Sequence, residues 1–202
     1  MDELRYIHQR PDTPRVSDLR RRVREAMEKP PVRWACPERI DARYMSEPLA
    51  VRKARAVQLK LSVMPTDLWA GQLIAGSMTL EDPRAHAERG FPDYVTDAER
   101  AAAAARGLSI HSVFGHIVPD YPRLLAEGLS GIRARAEAQR PRVRTPDEAA
   151  FLDSVVLSLD AVVSFAGRLA RRCDEEALAC PAAARRAELE QMAANLRQAP
   201  AG

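Results

Sequence analysis

Apolar residues recur along this chain at helical rather than alternating spacing, and proline, glycine and capping residues separate the recurrences, so the pattern predicts a mainly α protein. Val16, Leu19, Val23 and Met27 mark one face of a first helix, opened by Thr13-Pro14 and stopped by Pro30-Pro31. A short helix is expected from Cys36-Pro37. Ala50, Ala54, Val57, Leu61 and Met64 mark the next helix, after Pro48 and before Pro65, with Arg52, Lys53 and Arg55 mostly turned away from that face. Residues 68–75 are short, apolar and bounded by glycine and proline, as an edge strand or hairpin arm would be. Residues 81–93, broken by Pro83, Gly90 and Pro92, read as loop. Thr96-Asp97-Ala98-Glu99 fits a capping box ahead of an alanine-rich helix, and Gly107 fits its left-handed stop.

The longest stripe starts at a second capping box, Thr145-Pro146-Asp147-Glu148, and runs through Leu152, Val155, Val156, Leu159, Val163, Ala166, Ala170 and Cys173. A helix so apolar along one side must lie against a large partner surface. Pro181 opens a last helix with Leu189, Met192 and Leu196. The stretch 112–132 is different. Phe114, Ile117 and Val118 draw the backbone around Gly115 and His116 inward, and Asp120 before Tyr121-Pro122 reads as a helix entrance. Leu125, Leu129, Ile132 and Ala136 follow at helical spacing. Gly128 and Gly131 interrupt them at a cost of roughly 1 kcal/mol each relative to alanine, which points to close backbone packing.

Composition narrows the function classes. The 202 residues are 46% hydrophobic and 29% charged, enough for one globular domain. Residues 1–60 hold 15 basic against 9 acidic side chains, but aromatic residues are only 5% of the chain, so a solvated basic face is favoured over a nucleic-acid surface. No secretory signal is evident, and residues 155–170, with Asp160 and Arg168, read as too polar to span a bilayer; a cytoplasmic protein is expected. Cys36, Cys173 and Cys180 are too far apart for a zinc site or a disulfide framework. Cys36 reads as a small buried hydrophobe, the alternative being a thiol acidified by a helix dipole. His116, beside a glycine at the mouth of a helix, is either a satisfied core histidine or a donor and acceptor in a partly buried site. Asp120 reads as a helix cap rather than a base, and Tyr121 as core rather than catalytic.

Gly115-His116 with Asp120-Tyr121, followed by Leu125 and Gly128-Leu129, resembles the G-[HR]-x-x-x-D-Y and L-x-x-G-[LI] pattern of glycyl radical enzymes of the pyruvate formate-lyase and glycerol dehydratase type. Upstream, Arg15-Val16 with Leu19-Arg20, Cys36-Pro37-Glu38-Arg39, Glu47-Pro48, Arg52-Lys53-Ala54, Met64-Pro65 and Leu73-Ile74-Ala75-Gly76 are similar to that family's opening series. The resemblance covers nearly the whole chain. It implies one unit, 1–202, mainly α with one or two short strands: the helical N-terminal part of a ten-stranded α/β barrel, incomplete here, with residues 108–121 as a segment of the pocket wall.

By the same resemblance His116 is a substrate contact, supported by Phe114, Gly115, Asp120 and Tyr121, and imidazole in place of guanidinium argues against a pyruvate carboxylate. The thiyl-forming cysteine and the R-V-x-G-[YF] radical loop of complete members are absent from these 202 residues. The resemblance therefore implies a fragment or subunit of a radical lyase or dehydratase of anaerobic metabolism, not competent alone. No catalytic residue, cofactor or metal is assigned to this chain. The complete enzyme would carry a glycyl radical installed by an S-adenosylmethionine radical activase, and the partners implied are that activase and the C-terminal remainder, with neither nucleic acid nor membrane. The alternative is a stand-alone helical interaction module, docking a partner helix or forming a homodimer through the stripe from Leu152 to Cys173.

Overall fold

The computed structural model describes residues 12–28, 36–75, 91–108, 119–200 and 202. Six α-helices run through them: α1 Pro14–Glu28, α2 Leu49–Val63, α3 Asp97–Ala104, α4 Tyr121–Gln139, α5 Pro146–Ala179 and α6 Ala183–Gln198, with 3-10 turns at Ala42–Tyr44 and Arg140–Arg142. The side chain of Met27, Pro30-Pro31 and residues 81–90 of the expected loop lie outside the described residues. Thr13 caps α1 by accepting from the Val16 N–H at 3.3 Å.

The expectations for two connecting segments need correction. Among the described residues there is no strand, only an isolated parallel bridge between Arg39 and Asp93. Residues 68–75, expected as an edge strand, form a turn at Gly71 (φ 81°): the Gln72 N–H donates to Trp69 O, and the Gln72 side-chain oxygen accepts from the Trp69 N–H. A side chain that closes its own turn leaves no extended edge to pair. Nor does a helix follow Cys36-Pro37. That segment runs into the bridge, where Ile40 N–H donates to Asp93 O at 3.0 Å and Asp93 N–H to Glu38 O at 2.7 Å.

α5 is the axis of the fold, with α2, α4 and α6 all packed on it. Thr145 accepts from Glu148 N–H at 3.2 Å, while the Glu148 carboxylate reaches past the cap to the Arg144 N–H at 2.7 Å. α6 runs back antiparallel along the C-terminal half of α5, where Ala170, Cys173 and Ala177 pack on Leu189, Met192 and Ala193. The small residues let the two backbones close. α1 is tied to α6 by the ion pair of Arg15 with Glu188. α2 meets α5 at Arg168, whose guanidinium donates to Leu61 O (2.6 Å) and Met64 O (2.9 Å) and so satisfies carbonyls at the C-terminal end of α2.

The stripe expected from Leu152 to Cys173 is therefore largely spent inside the chain, and the homodimer or helix-docking surface read from it is not free as a whole. Val163, counted in it, is 37% exposed. By length and composition α5 could also cross a bilayer, contrary to the sequence expectation, since its most apolar 18-residue window has a mean hydropathy of 1.8. Here it serves instead as the shared partner of three helices.

α4 covers the N-terminal half of α5, with Ala136 against Leu152 and Val156. It is not the single amphipathic rod that the spacing of Leu125, Leu129, Ile132 and Ala136 predicts. Gly128 breaks it with φ 62° and ψ −179°, a conformation open only to glycine. The break turns the first two turns away, leaving Leu125 85% exposed while Gly128 and Ala136 are buried. The opened ladder is closed from outside, because the Leu129 N–H donates to Pro200 O at 3.0 Å.

Candidate functional site

The segment to which sequence assigns the pocket wall is 108–121. His116, Gly115 and Phe114 lie outside the described residues, as do the other three histidines, His8, His86 and His111. What the structure gives is the anchoring of the segment at both ends.

On the upstream side, α3 is capped as the sequence predicts: Thr96 Oγ1 accepts from Glu99 N–H (3.2 Å), and the Glu99 carboxylate accepts from Thr96 N–H (2.9 Å). Its far end is a Schellman turn, with Gly107 at φ 69°, the Gly107 N–H on Ala104 O and the Leu108 N–H on Ala103 O. α3 is fastened to α2 through Arg52, which is only 4% exposed. The Arg52 guanidinium donates to Glu47 O (2.9 Å), to Tyr94 O (2.7 Å) and to both carboxylate oxygens of Glu99. Those bonds, with that from the Thr96 N–H, hold the Glu99 carboxyl down to about 2.

Arg52 was expected to turn away from the apolar face, and its burial is the feature that sequence reasoning missed. The signal was in the capping box. A carboxylate that satisfies a cap and also faces a neighbouring helix can recruit a fixed cation. Beside it, Asp93 accepts from the Val95 N–H (3.1 Å), Arg39 (3.1 Å) and Arg100 (2.9 Å). Burial raises its carboxyl, but these partners outweigh burial and the net shift is downward. Below this polar layer, Ile40, Ala56, Tyr94 and Val95 form a small core, with Phe91 edge-on to Tyr94 at 6.1 Å.

On the downstream side, Asp120 is the cap of α4, its carboxylate accepting from the Arg123 N–H at 3.2 Å, with Pro122 in the first turn. Tyr121, expected in the core, is 55% exposed. The structure thus brings Asp120 and Tyr121 to the end of the segment as a cap and an exposed ring.

Two of the three cysteines are poorly placed as nucleophiles, and the third, Cys180, is half-buried at the end of α5. Cys36 and Cys173 are buried, and burial pushes both thiols up. The small-hydrophobe reading of Cys36 holds, and the helix dipole that would have acidified it is not there. Among the described residues no group of three or more His, Cys, Asp or Glu could hold a metal ion. The described part of the site is a scaffold: one polar node around the buried Arg52, a more exposed one around Asp93, and two capped helix ends.

A family model described as pyruvate formate lyase-like matches residues 82–202, more than half of the chain. Comparison with curated proteins gives no match. Among solved structures, the chain is similar to that of 1,2-propanediol dehydration in Roseburia inulinivorans, with 22% identity and a TM-score of 0.70 over 94% of this chain and 31% of that one. It is similar also to the glycerol-bound B12-independent glycerol dehydratase from Clostridium butyricum, with 19% identity and a TM-score of 0.73 over 95% of this chain and 31% of that one. A glycyl radical enzyme from Archaeoglobus fulgidus matches at 18% identity and a TM-score of 0.62, over 89% and 31% respectively. At these identities the likeness is one of fold. The chain spans about a third of the length of these structures.

Proposed function

Because the chain belongs to the pyruvate formate lyase-like family, we propose that it supplies the N-terminal helical shell and one wall of the substrate pocket of a cytoplasmic glycyl radical lyase or dehydratase. The observation that carries this reading is one of proportion: 94–95% of the chain superposes on structures of which it makes up only 31%. That proportion supports reading the chain as one part of a larger fold. In this reading residues 108–121 form the wall, held at one end by the Arg52–Glu99 node through α3 and at the other by the Asp120 cap. Phe114, Gly115 and Tyr121 shape it, and His116 contacts the substrate. An imidazole can donate to or accept from a hydroxyl but lacks the two-pronged carboxylate grip of a guanidinium, so a polyol is favoured over a 2-oxo acid.

A glycyl radical in the complete enzyme would supply the hydrogen-abstracting chemistry. The residues of this chain do not fit that role, since the R-V-x-G-[YF] loop is absent and Cys36 and Cys173 are sealed in packing. The radical and the thiyl-forming cysteine are assigned to polypeptide outside residues 1–202, and radical installation to a separate S-adenosylmethionine activase.

The test is anaerobic activation of the complete enzyme, with His116→Ala beside wild type. Wild type is expected to show the glycyl radical signal by electron paramagnetic resonance and to turn over a polyol. The variant is expected to keep the signal and to lose on the order of tenfold or more in kcat/KM, the scale of one lost hydrogen bond to a substrate hydroxyl. Loss of the signal itself in His116→Ala, or unchanged turnover, would overturn the assignment.

A further inference from the structure

α5 is unevenly covered. At 1.5 Å per residue its 34 residues extend about 51 Å, while the 16 residues of α6 extend about 24 Å and lie on the C-terminal half. Phe151, Val155, Ser158, Val162 and Leu169 fall at i, i+4, i+7, i+11 and i+18, hence on one side of the helix. At Leu169, beside the α6 seam, that side is 3% exposed; at Val162 it is 39% exposed and at Phe151 61%. The same apolar line thus runs out of an internal interface and into the open. Of the most apolar window of α5, only 28% is buried. At its upper end the line meets a hollow of about 560 Å³ at the α4–α5 turn, bounded by Val143, Phe151, Arg142, Arg144, Asp147 and Glu148.

We propose that this line, open at Phe151 and Val162 and half-buried at Val155 and Ser158 between them, is the docking face for an apolar element of the polypeptide that completes the pyruvate formate lyase-like fold, with the hollow as its seat. This rests on the functional reading above. Three observations select that occupant. The line continues from Leu169, which is already buried inside the chain. The chain accounts for 31% of structures on which it superposes almost entirely, so its open faces are those that the other two thirds would cover. A bilayer is disfavoured, because Arg133 with Asp160 (2.8 Å) and Arg140 with Asp153 (2.7 Å) join α4 to the neighbouring side of the same helix half. Insertion would break both ion pairs and strip α4 from α5.

The experiment places a photo-crosslinking amino acid at position 151, at 162 and, as control, at Leu178, which is 88% exposed on another side of α5. Each variant is expressed with the complete enzyme, and the crosslinked peptides are identified by mass spectrometry. From 151 and 162 the peptides are expected to lie outside residues 1–202, in the polypeptide that bears the R-V-x-G-[YF] loop, with about tenfold less product from 178. Phe151→Asp combined with Val162→Asp, checked for wild-type helicity, is expected to weaken retention of that polypeptide about tenfold, the scale of a buried interface anchor. Crosslinks to a second copy of residues 1–202, vesicle binding lost in the double variant, or product equal from all three positions would overturn the proposal. The two readings fail separately. If no polypeptide with the radical loop accompanies the wild-type chain, the functional reading falls. If it accompanies the chain but is not reached from 151 and 162, only the docking face falls.

Discussion

Arg52 carries more of the local architecture than any other described side chain, because one buried guanidinium satisfies two backbone carbonyls and a carboxylate from three different segments. Arg52→Ala would leave the buried Tyr94 O without its donor and the part-exposed Glu99 carboxylate without its partner, and should cost on the order of 1–3 kcal/mol in urea unfolding, the scale of an unsatisfied buried polar group. Arg52→Lys should recover little, since one ammonium cannot reach all of these acceptors at once. The pair also gives a pH signature. Glu99 has a folded value of about 2 against an ordinary 4.5. A carboxyl lowered on folding stabilises fully above its unfolded value, and that contribution drains away as pH falls toward the folded one. Between about pH 5 and about pH 2.5, wild type should therefore lose more stability than Glu99→Gln, read as the urea midpoint; parallel acid limbs would refute the linkage. Sequence placed Glu99 correctly, because a capping box is local chemistry. It missed Arg52, because the acceptors that make a buried guanidinium tolerable lie 42 and 47 residues away.

At the scale of elements, helix ends were legible and helix paths were not. Thr96, Gly107, Asp120 and Thr145 all cap as expected, each through bonds to residues within a few positions. The route of α4 depends instead on one glycine and on a carbonyl from the far end of the chain. Gly128 sits where a Cβ is strained whatever the surrounding space, so Gly128→Ala should cost on the order of 1–3 kcal/mol. The opposite result, an unchanged or raised melting temperature, would mean that α4 is continuous in solution and that Leu129 bonds within its own helix. Gly131 is a different case. A Cβ there would meet Glu127 Cβ at 2.8 Å, across the turn that the kink tightens. Spacing alone points to close packing at both glycines. At Gly128 the structure adds a reason that spacing could not supply, a backbone conformation closed to other residues. The missing strand at 68–75 has the same origin, since pairing needs a partner edge and the local turn won.

Taken whole, the described residues bury little that is large. Ten of the 22 buried apolar residues are alanine, while eleven large apolar side chains are exposed. Alanine gives close helix contacts but little transfer free energy, about a quarter to a half of what a buried leucine returns. Cohesion should then differ along α5. Its C-terminal half is held by the Cys173 seam with α6, which is sealed from water, and by the part-buried bonds of Arg168 to the end of α2. Its N-terminal half is held by the small cluster of Ala136, Leu152 and Val156 and by exposed ion pairs, which contribute about 0–1 kcal/mol each. Hydrogen exchange followed by mass spectrometry should accordingly find amides 166–177 opening only on global unfolding, and amides 152–162 opening earlier, by a factor on the order of ten or more. In the complete enzyme the second group should slow toward the first, because the line from Phe151 to Val162 would then be covered. Uniform protection along α5 in residues 1–202 alone would mean that the helix needs no further partner, and would remove the physical ground for treating this chain as the shell of something larger.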